Sequence, residues 1–263
     1  MIDYQLTGKT AIVTGGVSGI GLAVAQTLAA SGARISVWDL KQGAVDATVA
    51  QLQDSGVQAI GVALDVTDDA AVEAAVQRTV KELGGVHVAV NNAGISGPAA
   101  SSGDYPVDGW QRVIDVNLTS VFLCQRAQIQ AMRAAGSGGS IINMASILGQ
   151  VGYAGSTAYV AAKHGVVGLT KVVGLETATS NVTCNAICPG WVLTPLVQKQ
   201  IDDRAANGGD PLQAQHDLLA EKQPSLAFVT PEHLGELVLF LCSEAGSQVR
   251  GAAWNVDGGW LAQ

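Results

Sequence analysis

An apolar run, Thr10-Ala11-Ile12-Val13, leads into Thr14-Gly15-Gly16-Val17-Ser18-Gly19-Ile20-Gly21, which opens a helix-like stretch from Leu22 to Ala30 that stops at Gly32. Few arrangements accept four glycines in eight residues. Glycine lets a backbone turn sharply and lets another group approach it closely. A strand, a glycine turn and a helix in direct succession place a helix N-terminus at the carboxyl edge of a sheet. Its free N–H groups and positive dipole end face outward there. That is the setting of a pyrophosphate site. A second strand candidate, Arg34 to Trp38, ends in Asp39, eighteen residues after Gly21. A carboxylate there can accept both ribose hydroxyls of NAD and would repel the 2′-phosphate of NADP.

The alternation continues along the chain. Strand candidates fall at 9–14, 34–39, 57–64, 87–91, 139–145, 182–188 and 252–256; helix candidates fall at 19–31, 42–55, 68–83, 108–135, 157–180 and 230–244. Such alternation builds a parallel sheet with helices on both faces. Val86-His87-Val88-Ala89-Val90 is nearly all apolar, as a strand buried on both faces requires. The expected fold class is α/β, a Rossmann-type doubly wound parallel sheet of about seven strands. It forms a single domain over residues 1–263, a length sufficient for one substantial core. One segment, about 191–229, breaks the alternation and contains the turn-rich Asn207-Gly208-Gly209-Asp210-Pro211. An insertion at the carboxyl edge of the sheet is where a substrate lid would sit.

Tyr159 and Lys163 stand four residues apart in a helix candidate, and Ser146 follows the apolar run Ile141 to Ala145. Positions i and i+4 share a helix face. A free tyrosine titrates near pH ~10, too high for a base near neutrality. A fixed cation ~4 Å away, at an effective dielectric of ~20, is worth about 4 kcal/mol, or roughly three pKa units. Lys163 is therefore expected to bring Tyr159 toward working pH, where proton transfer is most efficient. Ser146, at a strand's carboxyl end, would hydrogen-bond a substrate carbonyl and steady the developing alkoxide. Asn117 lies inside the amphipathic stretch Trp110 to Arg126. Asparagine is a poor interior helix residue, which points to a special use.

With Thr14-Gly15-x-x-x-Gly19-x-Gly21, Asn91-Asn92-Ala93-Gly94, Asn117, Ser146, Tyr159 with Lys163, and Pro189-Gly190 standing in order, the chain resembles the short-chain dehydrogenase/reductase family from about Leu6 to Trp260. The resemblance implies strand order 3-2-1-4-5-6-7. It implies NAD lined by Gly15, Ser18, Gly19, Ile20, Gly21, Asp39, Leu40, Asp65, Val66, Asn92, Ala93, Gly94, Tyr159, Lys163, Pro189, Gly190, Val192 and Thr194. Catalysis would fall to Asn117, Ser146, Tyr159 and Lys163, with Asn117 holding a water in a proton relay and Lys163 also bonding the nicotinamide ribose. NAD supplies hydride transfer; the protein supplies position and electrostatics.

The second half resembles bacterial 3-hydroxybutyrate dehydrogenases, notably across Tyr159–Thr170, Asn185–Gln200 and Glu221–Leu226. Trp191 and Gln200 match that group's substrate contacts. Ser96, Leu148 and Ser156 stand where the group has glutamine, histidine and lysine. Desolvating a carboxylate without its charge partners is costly. Ile147, Leu148, Val151, Tyr153 and Trp191 would line a mostly apolar pocket instead. The substrate set is thus Ser96, Ser146, Leu148, Tyr153, Tyr159, Trp191 and Gln200. The favoured substrate is a neutral hydrophobic ketone or secondary alcohol; the alternative is hydroxybutyrate, with Lys199 or Arg204 supplying a cation. Reduction of 3-oxoacyl groups on a carrier protein fits Asp39, Val17 and Leu175 poorly. A non-catalytic NAD-binding regulator is the reading from another class.

Net charge is −8 with no basic run, which argues against nucleic acid and acidic membrane surfaces. Met1 to Gln5 shows no signal pattern, and no apolar run reaches the ~18 residues needed to span a bilayer. The expected location is cytoplasmic. Cys124, Cys184, Cys188 and Cys242 lie in apolar stretches without a C-x-x-C, as buried free thiols do, and the scattered histidines suggest no metal. Hydrophobic residues reach 48% against 14% charged, suggesting surface covered by sister subunits. The family resemblance makes that a homotetramer.

Overall fold

A computed structural model describes residues 4–206 and 210–262, apart from the side chains of 196, 200 and 204. Seven strands form one sheet: β1 (Thr10–Thr14), β2 (Arg34–Asp39), β3 (Ala59–Ala63), β4 (Val88–Asn91), β5 (Gly139–Met144), β6 (Val182–Pro189) and β7 (Ala253–Val256). The order is β3-β2-β1-β4-β5-β6-β7 and every pairing is parallel. This is the expected doubly wound α/β sheet. Successive residues of a strand face opposite sides. Accordingly Ala11 and Val13 enter one apolar cluster with Val24 and Leu28 of α1 (Gly19–Ala30) and Leu234 and Val238 of α9 (Pro231–Cys242), while Ile12 enters a second with Val72, Val76, Cys124 and Met132. All five residues of β1 are buried.

The other helices are α2 (Gln42–Asp54), α3 (Asp69–Leu83), α4 (Val107–Ile114), α5 (Ser120–Ala135), α6 (Thr157–Glu176), α7 (Pro195–Ala205) and α8 (Pro211–Ala220). Helices bring the chain back to each next strand: α1, α2 and α9 cover one face, and α3 and α5 the other. β1 lies between β2 and β4, so the connections part there and leave a crevice at the carboxyl edge, where ligands bind in such sheets.

Two expectations change. The single helix expected at 108–135 is two helices joined by a π-helical turn, Asp115–Thr119, and Asn117 sits within it. Single π turns inside helices are a recurrent device at functional sites. Segment 191–229 is largely helical: α7 and α8 pack Val197 and Ile201 against Ala214 and Leu218, with Trp191 and Phe228 alongside. Pro195 and Pro211 each occupy the first turn of a helix, where proline's missing N–H costs nothing. Part of the turn-rich stretch, residues 207–209, lies outside the described residues. Among the described residues no helix is long and apolar enough to cross a membrane.

Candidate active site

Every expected cofactor segment lies at or just beyond a strand's carboxyl end: 15–21 after β1, Asp39 and Leu40 at β2, Asp65 and Val66 after β3, Asn92 to Gly94 after β4, Ser146 after β5, Pro189 to Thr194 at β6. The glycine turn is tightly built. Gly15 and Gly19 have φ of +63° and +50°, left-handed values that strain any residue with a Cβ. A Cβ on Gly21 would lie 2.1 Å from the Gly15 carbonyl oxygen and 2.6 Å from Asn92 Nδ2. Ser18 makes no side-chain capping bond to α1, and the first turn of that helix carries no acidic residue. An anion therefore meets the helix N-terminus without a competing carboxylate. This cradle fits a pyrophosphate.

Thr14 ties the turn to the next wall of the crevice. Its buried Oγ1 accepts from the N–H groups of Asn92 (2.9 Å) and Ala93 (3.0 Å), and Asn92 Nδ2 donates back to the Thr14 carbonyl at 3.0 Å. Thr194, before α7, packs over the turn, its Cγ2 3.5 Å from the position of a Cβ on Gly19. Asp39 Oδ1 accepts from the Leu40 N–H at 2.8 Å. Asp65 accepts from Thr67 N–H and Oγ1 at 3.0 and 2.7 Å and faces Arg112 at 3.5 Å. The Thr67 bonds, helped by Arg112, hold its carboxyl below the usual range. Gly94 and Ser96 are exposed, and Val66 is buried.

Tyr159 and Lys163 stand one turn apart on α6, beside Ser146. Ser146 Oγ accepts from the Leu148 N–H at 3.1 Å, within the short turn Ile147–Gly149, and also hydrogen-bonds the Tyr159 hydroxyl. Lys163 Nζ donates to the Met144 carbonyl at 2.7 Å and lies 5.5 Å from the centre of the Tyr159 ring. Lys163 is buried, and burial brings its ammonium down to about 8. The same burial pushes the Tyr159 phenol up, opposed by the Ser146 bond. That corrects the expectation of a phenol lowered by the lysine charge. The ammonium is committed to a β5 carbonyl, and desolvation of the phenolate outweighs its pull.

Asn117 is fully buried, with Oδ1 accepting from the Ile95 N–H at 2.8 Å and Nδ2 donating to the Ile95 carbonyl at 2.7 Å. Its side chain clamps the segment that follows Gly94, and its turn packs against α6. A paired backbone N–H and C=O explains an asparagine at that turn.

On the opposite side, Tyr153, Trp191 and Trp260 form an aromatic trio. Ring centres are 6.5 Å apart for Tyr153–Trp191, 6.3 Å for Tyr153–Trp260 and 5.9 Å for Trp191–Trp260. Gln223, 1% exposed, accepts from the Trp191 N–H at 2.8 Å and donates to the Ala227 carbonyl. Val192 bridges Val229. Leu148 is half-buried, and the Gln200 side chain lies outside what the structure describes. Thr14, Gln223, Trp260 and the Met144 carbonyl were not legible as site groups. A buried glutamine or threonine becomes visible only through its partners, and a carbonyl has no sequence signature.

A dinucleotide crevice with a buried serine and lysine and a half-buried tyrosine at its rim defines a nicotinamide-dependent oxidoreductase of alcohols and ketones. A family model described as "Enoyl-(Acyl carrier protein) reductase" matches residues 15–261. The chain belongs to the short-chain dehydrogenase/reductase family. It is similar to D-beta-hydroxybutyrate dehydrogenase of Cupriavidus necator, 51% identical over 98% of this chain and 100% of that one. It is 42% identical to D-beta-hydroxybutyrate dehydrogenase of Rhizobium meliloti, over 97% of this chain and 99% of that one. Among solved structures, levodione reductase superposes with a TM-score of 0.91 at 32% identity, covering 97% of this chain and 98% of that one.

Proposed function

We propose that the protein is an NAD-dependent dehydrogenase of short 3-hydroxy acids, interconverting 3-hydroxybutyrate and acetoacetate. The observation that carries the substrate is end-to-end likeness, at 51% identity, to a hydroxybutyrate dehydrogenase. It outweighs the neutral hydrophobic ketone favoured from the sequence alone. A second reading, a neutral or cyclic alcohol, keeps one specific support: Leu148, Ser96 and Ser156 stand where the resembling group has polar or cationic side chains, and Tyr153 and Trp191 of the substrate set pack into an aromatic trio with Trp260. Lys199 does not rescue the acid as it stands, because its Nζ is 2.6 Å from Asp203 in an exposed pair.

Bound nicotinamide would accept or return the hydride. In oxidation Tyr159, as phenolate, takes the hydroxyl proton; in reduction the phenol returns it. Ser146 donates to the same oxygen and favours the alkoxide character that develops there. Lys163, positively charged below its pKa of about 8, stabilises the phenolate and bonds the ribose. Asn117 fixes Ile95 and the Asn92–Gly94 wall. Asp39 would accept the adenosine ribose hydroxyls, which supports NAD over NADP. α7 and α8 would close over the substrate, with Trp191 facing it. Val107, Trp110, Phe122, Val172 and Leu175, exposed on α4, α5 and α6, support a homotetramer, and a cytoplasmic location fits this reading.

The test is initial rates on 3-hydroxybutyrate, cyclohexanol and secondary alkanols with each nicotinamide cofactor. NAD with 3-hydroxybutyrate should lead in kcat/KM by about tenfold or more, the scale set by one well-matched polar contact. A neutral alcohol leading by that margin establishes the second reading. NAD binding without turnover of any of them would point to the regulator.

A further inference from the structure

Tyr153 is the one aromatic residue between Ser146 and Tyr159, and it faces two spaces. One side packs edge-on against Trp191 and Trp260. The ring also lines a shallow outer cavity of about 550 Å³, open to solvent and bordered by Ser102, Gly155, Val160, Ala161 and His164. The loop around the ring is thin. A Cβ on Gly152 or Gly155 would meet nothing within 4 Å, and Ala154 is exposed. The phenol ring thus belongs both to the aromatic trio and to the lining of the outer cavity.

We propose that Tyr153 is a partition that sets the length of the substituent carried by the substrate's carbinol carbon. With the ring in place, the packed trio, at 5.9 to 6.5 Å between centres, would confine the substituent to a short alkyl group. With the ring removed, the pocket and the outer cavity become one, and a longer chain runs past residue 153 toward Ala161. This rests on the proposed reading only for the carboxylate. The length selection belongs to the apolar end of the substrate and applies equally to a neutral alcohol. It predicts that Tyr153→Ala gains long substrates rather than simply losing activity, which is the opposite of what loss of a packing residue does.

The experiment measures kcat/KM for 3-hydroxybutyrate against 3-hydroxyoctanoate, and for butan-2-ol against octan-2-ol, with NAD saturating. Tyr153→Ala should raise the long-to-short ratio by about tenfold or more in whichever series the enzyme accepts, since each methylene accommodated or refused is worth about tenfold or more. Tyr153→Phe should leave the ratio near that of the parent. Filling the cavity in the double variant Tyr153→Ala/Ala161→Phe should cancel the gain. If Tyr153→Ala does not fold, Tyr153→Leu carries the same comparison. A ratio within twofold of the parent in a folded variant overturns the proposal, as does a gain that survives Ala161→Phe. A changed ratio with only neutral alcohols turned over would leave the partition standing and remove the hydroxy acid. Turnover of 3-hydroxybutyrate with an unchanged ratio would do the reverse.

Discussion

The two sides of this site are held by different means. The β5–α6 side is locked from below: Lys163 bonds a β5 carbonyl, Ser146 sits in a short turn, and Asn143, fully buried, ties β5 to Thr170 of α6 at 3.0 Å and to Asn91 of β4 at 3.0 Å. The α7–α8 side rests on a small satellite core, one buried glutamine and one bridge to Val229. Its outer face is laced with local i,i+4 pairs such as Gln198–Asp202 and Gln213–Asp217, worth only a few tenths of a kcal/mol each. Proton transfer needs fixed distances, and substrate fit tolerates variation. On the proposed function the rigid side would carry the reaction, and the lightly held side is where specificity could change without disturbing it.

Changes on the rigid side should cost most. Lys163→Met should reduce turnover by about a thousandfold, the middle of the range for a positioned acid–base group, while making the cofactor-free protein more stable. The folded ammonium titrates at about 8 against 10.5 ordinarily, so the unfolded chain holds that proton more tightly. This is a penalty of about 3 kcal/mol. It is fully present below pH 8 and is lifted as pH rises through 10.5. Losing the bond to Met144 returns about 1 kcal/mol of that gain. The buried thiols of Cys124, Cys184, Cys188 and Cys242, pushed up by burial, lower stability toward alkaline pH in both proteins, so urea titrations from pH 7 to 10 would read a stability difference, parent minus Lys163→Met, that rises with pH. An equal slope in both would break the contrast.

On the lightly held side, Gln223→Leu leaves the buried Trp191 N–H without its acceptor, at about 1–3 kcal/mol. KM should rise about tenfold with kcat within about twofold, since the loss falls on binding rather than on the transition state alone. A kcat loss as large as that of Lys163→Met would mean the two sides are not separable.

The smallest effect lies at the far end of the sheet. His87 Nδ1 accepts from the Thr10 N–H at 3.1 Å, and burial, then Lys9 and Arg34, hold it below 6.5. The unfolded chain takes a proton there that the folded chain refuses. Stability should thus fall as pH drops below 6.5, and level off beneath the folded value. His87→Gln should remove a drop of about 2 °C in melting temperature between pH 7 and 5.5, with no change in turnover.

The same contrast explains what was legible in the sequence. Gly15, Gly19, Gly21, Ser146, Tyr159 and Lys163 are each required by a backbone angle or a chemical step, so their spacing alone located the crevice and its rim. The helices of 191–229 were hidden because each adds only two buried apolar residues to their shared cluster, and because Asp210-Pro211 was read as a turn when it is a helix start, the Asp210 side chain accepting from Leu212 N–H at 3.2 Å. The phenol's direction was misjudged for a related reason. An i,i+4 spacing gives proximity, but neither burial nor the competing Met144 carbonyl is written in it.

The pH dependence of alcohol oxidation at saturating NAD, for the parent, Ser146→Ala and Tyr159→Phe, tests the acid–base account most directly. Because burial raises the Tyr159 phenol and Ser146 opposes it, the parent rate should climb toward alkaline pH, and Ser146→Ala should move that limb to higher pH. Tyr159→Phe should lose about three orders of magnitude and the limb itself, with the NAD dissociation constant within about twofold. Tyr159→Phe turning over at the parent rate with the same alkaline limb would contradict the account.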